Sequence, residues 1–148
     1  MNTKALITLF QRDLKRLEDE LQAYTSEKDL WLLPEGINNT AGNLALHLIG
    51  NLNHFIGATL GNTDYVRDRE AEFGDKNVPR SKILGDLTAT IAMIKTVFEE
   101  LDEGVMDEEY PAEPLGRKVI TGDFMLHLYG HLNYHLGQVN YHRRLLTA

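Results

Sequence analysis

Between His127 and Gln138 the chain reads H-L-Y-G-H-L-N-Y-H-L-G-Q, which places His127, His131 and His135 four residues apart in an apolar setting. On an α-helix, residues four apart share a face and stand about 6 Å apart along the axis, so two such imidazoles can close on one metal ion. His127 and His135 are separated by about 12 Å on that axis, too far for a single ion. A mononuclear site therefore takes either His127 with His131 or His131 with His135. His131 belongs to both pairs, and spacing leaves the other member open.

A pair on one helix needs a third ligand from elsewhere. His47 is the best placed, because it sits among Leu44, Leu46, Leu48 and Ile49, where a polar ring requires a reason. His54 follows seven residues later on nearly the same face but about 10 Å away, so only one of the two reaches the same ion. Three neutral imidazoles suit zinc or nickel first and iron or copper next, and suit magnesium or calcium poorly. Three protein ligands leave at least one position for water or a substrate thiolate, as in catalytic rather than structural zinc sites. Asn51, Asn133 and Gln138 stand near enough in sequence to orient a ligand or touch a substrate. No carboxylate stands at a ligand spacing on either helix, and Tyr134, Glu70 and Glu72 are the only candidates for a general base.

Each residue also has a plainer reading. A histidine on an apolar helix face is commonly a hydrogen-bonded core residue, which is the reading for His54 and His142. For His127 a core role, or one orienting a ligand, competes with ligation. The His131/His135 pair with His47 could form a buried hydrogen-bonded cluster without metal. The acidic run Asp102, Glu103, Asp107, Glu108 and Glu109 reads as solvated surface. The cluster Arg67, Asp68, Arg69, Glu70 and Glu72 reads as ion pairs that hold a loop, or as the lining of a pocket mouth. Phosphate-binding glycine loops and the G-x-S-x-G nucleophile elbow are missing from the chain.

The elements that must position these histidines are helical. Leu6, Phe10, Leu14, Leu17, Leu21 and Tyr24 recur at steps of three and four, predicting an amphipathic helix over roughly 3–25 with Arg12, Lys15, Arg16, Glu18 and Asp19 on its polar face. Pro34 and Gly36 break it. A second helix runs from Thr40, an N-cap, to Leu60, with Gly61 as its stop. The polar stretch 62–80 reads as a long link with a turn of helix at most, and links of that length tend to be functional or mobile. Ser81 is expected to cap a third helix through Leu101, burying Ile83, Leu84, Leu87, Ile91, Ile94, Val97, Phe98 and Leu101, with Gly104 beyond its end. MDEEYPAEPLGRKVI reads as a loop with a short extended piece at RKVI. Thr121 is expected to cap the fourth helix, which runs to Leu146. The whole, residues 1–148, reads as one all-α domain: a four-helix bundle with a long link between its second and third helices.

Bulk properties narrow the function. The 148 residues suffice for one core, and 43% hydrophobic with 25% charged residues is ordinary for a globular chain. A formal charge of −7 without a basic block argues against nucleic acid as a partner. No apolar run approaches the roughly 20 residues of a membrane span. The start, MNTKALITLFQRDLKR, turns polar too early for a signal peptide, and the chain has no cysteine, which removes disulfides and thiolate ligands. A cytoplasmic location fits.

L-A-L-H-L-I-G-N-L around His47 and H-L-N-Y-H-L-G-Q from His131 to Gln138 resemble the DinB/YfiT-like superfamily of metal-binding proteins. R-D-R-E-A-E-F in the link is similar to one uncharacterised branch of it. The resemblance covers the four helices in order. It implies a four-helix bundle, a homodimer, and a divalent metal on one histidine of the second helix and two near the end of the bundle. Carried over by position, the ligands are His47, His131 and His135, which leaves His127 to a core or ligand-orienting role. Many relatives have arginine or threonine after the last histidine, whereas this chain has Leu136, so no substrate contact is carried over from that position. Characterised branches include thiol-dependent S-transferases and a maleylpyruvate isomerase that use low-molecular-weight thiols. The resemblance thus implies a metal-dependent enzyme acting on a small-molecule substrate, by thiol transfer or by metal-assisted hydrolysis. The alternatives are a non-catalytic metal-binding or stress-response bundle and an interaction module with a metal-free histidine cluster.

Overall fold

A computed structural model describes residues 1–146, and among them every regular element is helical. The first helix, α1, spans Thr3–Ala23. Asn2 caps it by accepting from Ala5 N at 3.1 Å, and its stripe from Leu6 to Leu21, extended by Tyr24, is buried as its periodicity requires. Glu18 departs from the expected polar face, and a second acid, Asp13, is also in the interior. Asp13 is buried beneath Arg12, Arg16 and two side chains of the last helix.

Helix α2, Ala41–Leu52, starts at Thr40, whose hydroxyl accepts from Asn43 N at 3.1 Å. From Asn53 to Leu60 the same helix continues as a wide π turn and stops at Gly61. Side chains occupy the places where that turn loosens the backbone. Asn53 donates to Ile49 O and Thr90 Oγ1, and Tyr110 donates to Phe55 O at 2.7 Å. Asn62 and Asn77, both left-handed, bracket a link that holds a short helix, α3, over Arg69–Gly74. Asp68 caps α3 through Ala71 N.

Helix α4 spans Arg80–Glu100 and α5 spans Thr121–Leu146. The expected caps fall inside the helices, Ser81 two positions past the N-cap of α4 and Thr121 as the first residue of α5. Pro79 precedes α4 and gives no side-chain cap. The RKVI piece forms only an isolated bridge, Glu109 with Ile120, with Tyr110 N donating to Val119 O at 2.9 Å. Helix α1 packs on α4 and α5, and α2 packs on the same two helices and on α3. One continuous core of Leu, Ile, Phe and Tyr side chains fills the space between the four long helices. No helix among the described residues is long and apolar enough to cross a membrane.

Candidate metal centre

Helices α2 and α5 bring His47 against His131 and His135. His131 Nε2 lies 3.1 Å from His47 Nε2 and 3.1 Å from His135 Nε2. The three rings stand almost perpendicular to one another, at 83°, 86° and 86°, so they approach one point from three directions. A ligand atom from each lies within 4.8 Å of the others, and this group can hold a metal ion. With nitrogen–metal bonds of about 2.0–2.1 Å, a 3.1 Å separation corresponds to roughly 100° at the ion, between octahedral and tetrahedral angles.

Proton placement decides whether the cluster stands by itself. Glu72 Oε1 lies 3.0 Å from His47 Nδ1, and a carboxylate only accepts, so that nitrogen carries the proton. Gln138 Oε1 takes the same role toward His135 Nδ1 at 2.7 Å. Both Nε2 atoms therefore present lone pairs toward His131. One proton on His131 Nε2 satisfies one of them and leaves the other facing nitrogen. His131 Nδ1, meanwhile, is buried without a partner. Burial, and then the proximity of His135 and His47, push the His131 imidazole down to about 4, so it is neutral at pH 7 with a lone pair to give. Burial likewise lowers His135. The three converging Nε2 atoms fit a cation, with the His131 proton then on Nδ1.

The link supplies what orients His47. Glu72 is buried, and Arg67 grips it with two bonds of 2.8 and 3.0 Å. Burial alone would raise this carboxyl, but the bonds from His47 and Arg67 outweigh it, and Glu72 lies below its usual range. Asn43 fastens the segment by donating to Glu72 O at 3.0 Å and Asp75 O at 2.8 Å, and Phe73 packs on the His47 ring at 4.8 Å. Gly50 faces the Glu72 carboxylate so closely that a Cβ would overlap it. The carboxylate–histidine pairing fixes tautomer and ring orientation, as partners of metal-bound histidines generally do.

The other sequence candidates separate cleanly. His127 is exposed rather than in the core, and stacks on Phe124 with ring centroids 5.8 Å apart. His54 falls at the start of the π turn, packs against Phe55, and stays outside the cluster. His142 bonds Tyr24 and Leu32 at the far end of α5. Asn133 turns away from the cluster to Asp13 at 3.1 Å. Tyr134 is 65% exposed with its ring 5.3 Å from that of His135, Glu70 is exposed, and Glu72 is committed to His47 and Arg67. Sequence reading missed Glu72 as the residue that holds His47. Its signal was the five-residue step from Arg67 to Glu72 across the start of a short helix, in a link too long to be a mere connection.

A cavity of about 200 Å³ opens beside His47 and His131, with Asn51, Arg67 and Arg69 on its lining. A larger groove of about 410 Å³ between α2, α4 and the link contains no histidine and carries Asp68, Asp75 and Asp86 instead. The smaller space is the one that meets the chemistry. In comparison with known proteins, no family model matches the chain and no curated protein matches it.

Proposed function

We propose that this protein is a divalent-metal-dependent enzyme of the DinB/YfiT-like type, a four-helix bundle working as a homodimer, with the ion on His47, His131 and His135. The observation that carries the reading is the convergence of three Nε2 atoms beside an open cavity rather than inside a sealed core. Zinc or nickel suits three neutral imidazoles best, with iron or copper behind. When bound, the ion supplies Lewis acidity that lowers the pKa of a water or thiol in the position the protein leaves free. The chain's own part is orientation. Glu72 and Arg67 hold His47, Gln138 holds His135, and the cavity receives a small molecule next to His131.

Transfer of a low-molecular-weight thiol to an electrophile ranks ahead of hydrolysis, on resemblance. A second copy of the chain fits the outward stripe of α5. There Leu126, Tyr134, Tyr141 and Leu145 are exposed, and Gly130 and Gly137 leave open space between them.

Elemental analysis of untagged wild type beside His131→Ala tests the site. Near-stoichiometric zinc, nickel, iron or copper in the wild type, lost in the variant, is the expected result, and no metal in either after reloading sinks it. Cobalt-loaded protein then tests the enzyme reading. A sulfur-to-metal charge-transfer band on adding a thiol, followed by thiol-dependent consumption of an electrophile, supports it. An ion that accepts no added ligand and only raises the melting temperature makes this a non-catalytic metal protein.

A further inference from the structure

The cavity beside the histidines has a charge pattern of its own. Two arginines from the link reach it, and none of its lining residues is Asp or Glu, although the chain as a whole carries −7. Arg67 is spent internally, on Glu72 and over the Phe55 ring at 5.7 Å. Arg69, two residues on, is exposed at the mouth and pairs with no carboxylate among the described residues. Asn51 forms another part of the wall. It is 7% exposed, and its amide oxygen is buried with no hydrogen-bond partner. That oxygen only accepts, so it is completed by a donor such as water and takes no part in holding an anion.

Besides the histidines, His127 among them, the rest of the wall is apolar: Phe55, Phe124, Leu128 and the Pro114–Leu115 tip of the loop before α5. A volume of about 200 Å³ lies below the ~300–1,000 Å³ of pockets that take drug-sized ligands. The space therefore suits a small molecule with a short apolar body and one negative end.

We propose that this cavity is a binding subsite for a small organic carboxylate, its carboxylate met by Arg69 at the mouth and its apolar body lying between Phe55 and Phe124. The planar guanidinium fork matches a carboxylate in two parallel bonds, and a single unpaired arginine balances a single charge. The acid-free lining gives an anion a local welcome on a chain that elsewhere repels it. The subsite deepens the metal reading, because His47 and His131 form its floor and place the bound molecule next to the ion.

Calorimetric titration of the full-length protein, metal-free and zinc-loaded, with benzoate, benzamide and inorganic phosphate tests the assignment. Wild type is expected to bind benzoate about tenfold more tightly than benzamide, the lower end for a hydrogen bond to a charged group, and more tightly than phosphate. Arg69→Glu is expected to erase that preference while zinc content stays at the wild-type level, and since Arg69 is exposed the fold is not at risk. Benzamide matching benzoate, phosphate matching benzoate, or an Arg69→Glu variant that binds benzoate unchanged each overturns the proposal. An Arg69-dependent preference in protein that retains no zinc upholds the subsite and removes the metal reading. Zinc retained without the preference does the reverse.

Discussion

Helix α5 carries histidines at two places that are treated in opposite ways. Near its end, His142 has both ring nitrogens engaged. Nε2 faces the Leu32 carbonyl at 2.8 Å, which can only accept, so Nε2 donates and Nδ1 accepts from the Tyr24 hydroxyl at 2.5 Å. In its middle, His131 has a buried Nδ1 without a partner and an Nε2 aimed at two other nitrogens. Both rings belong to one helix and lie among apolar side chains. A saturated imidazole ties α5 to the segment after α1 and needs nothing more, whereas the middle cluster turns its Nε2 atoms toward one another and can hold a metal ion. The Asp13 network on another side of α5 is of the saturated kind, with Arg12, Arg16, Tyr129 and Asn133 around one carboxylate.

The comparison can be broken at each of these places. The largest effect on stability is expected at His142. His142→Ala leaves the Leu32 carbonyl without its partner and the Tyr24 hydroxyl with only a long bond to the Val139 carbonyl at 3.4 Å, a loss of about 3 kcal/mol and a fall in melting temperature of roughly 6–12 °C. Metal content, read by elemental analysis, stays at the wild-type level. Loss of metal in this variant would mean that the two ends of α5 are not separate.

Glu72→Gln sharpens the other side. It keeps the shape of the side chain but removes the charge that orients His47, so metal affinity falls about 10–100-fold with little change in helix content. A competition titration against a chelator measures it, and an unchanged affinity would reduce Glu72 to a tie between the link and α2.

The smallest effect is expected from Asp13→Asn. Burial alone would raise this carboxyl, but bonds from Arg12, Tyr129 and Asn133 hold it down to about 2, against an ordinary value of 3.8. A carboxylate whose folded pKa is depressed adds stability above its unfolded pKa and loses it as pH falls through the folded one. Wild type should therefore lose this contribution between about pH 4 and pH 2. Asp13→Asn should flatten that acid limb and lower stability at neutral pH by about 1 kcal/mol, which chemical unfolding across pH checks. Metal binding should be untouched.

Much of the frame was legible because helices announce themselves through local periodicity. The stripe of α1, the Thr40 cap and the i,i+4 step from His131 to His135 follow from neighbours in sequence, and each is present in the fold. The π turn after Leu52 was not legible, because it depends on Thr90 and Tyr110 from other segments holding the widened backbone. The choice between His127 and His135 was equally hidden from spacing, since both stand one turn from His131. Packing against His47 decides it, and His127 is left on Phe124 at the cavity edge.

By itself, then, the sequence determined that the chain is helical, that His131 sits one turn from a second histidine, and that a long polar link separates the second helix from the third. Those properties live within a few residues of one another. Tertiary structure alone decided that His47 meets His131 across 84 positions, that Glu72 folds back from the link to hold it, and that Arg69 and Asn51 remain unmatched around a cavity. Imidazoles on separate helices converge only when both helices bury their apolar faces in one core, and that long-range packing sets the distances on which the chemistry depends.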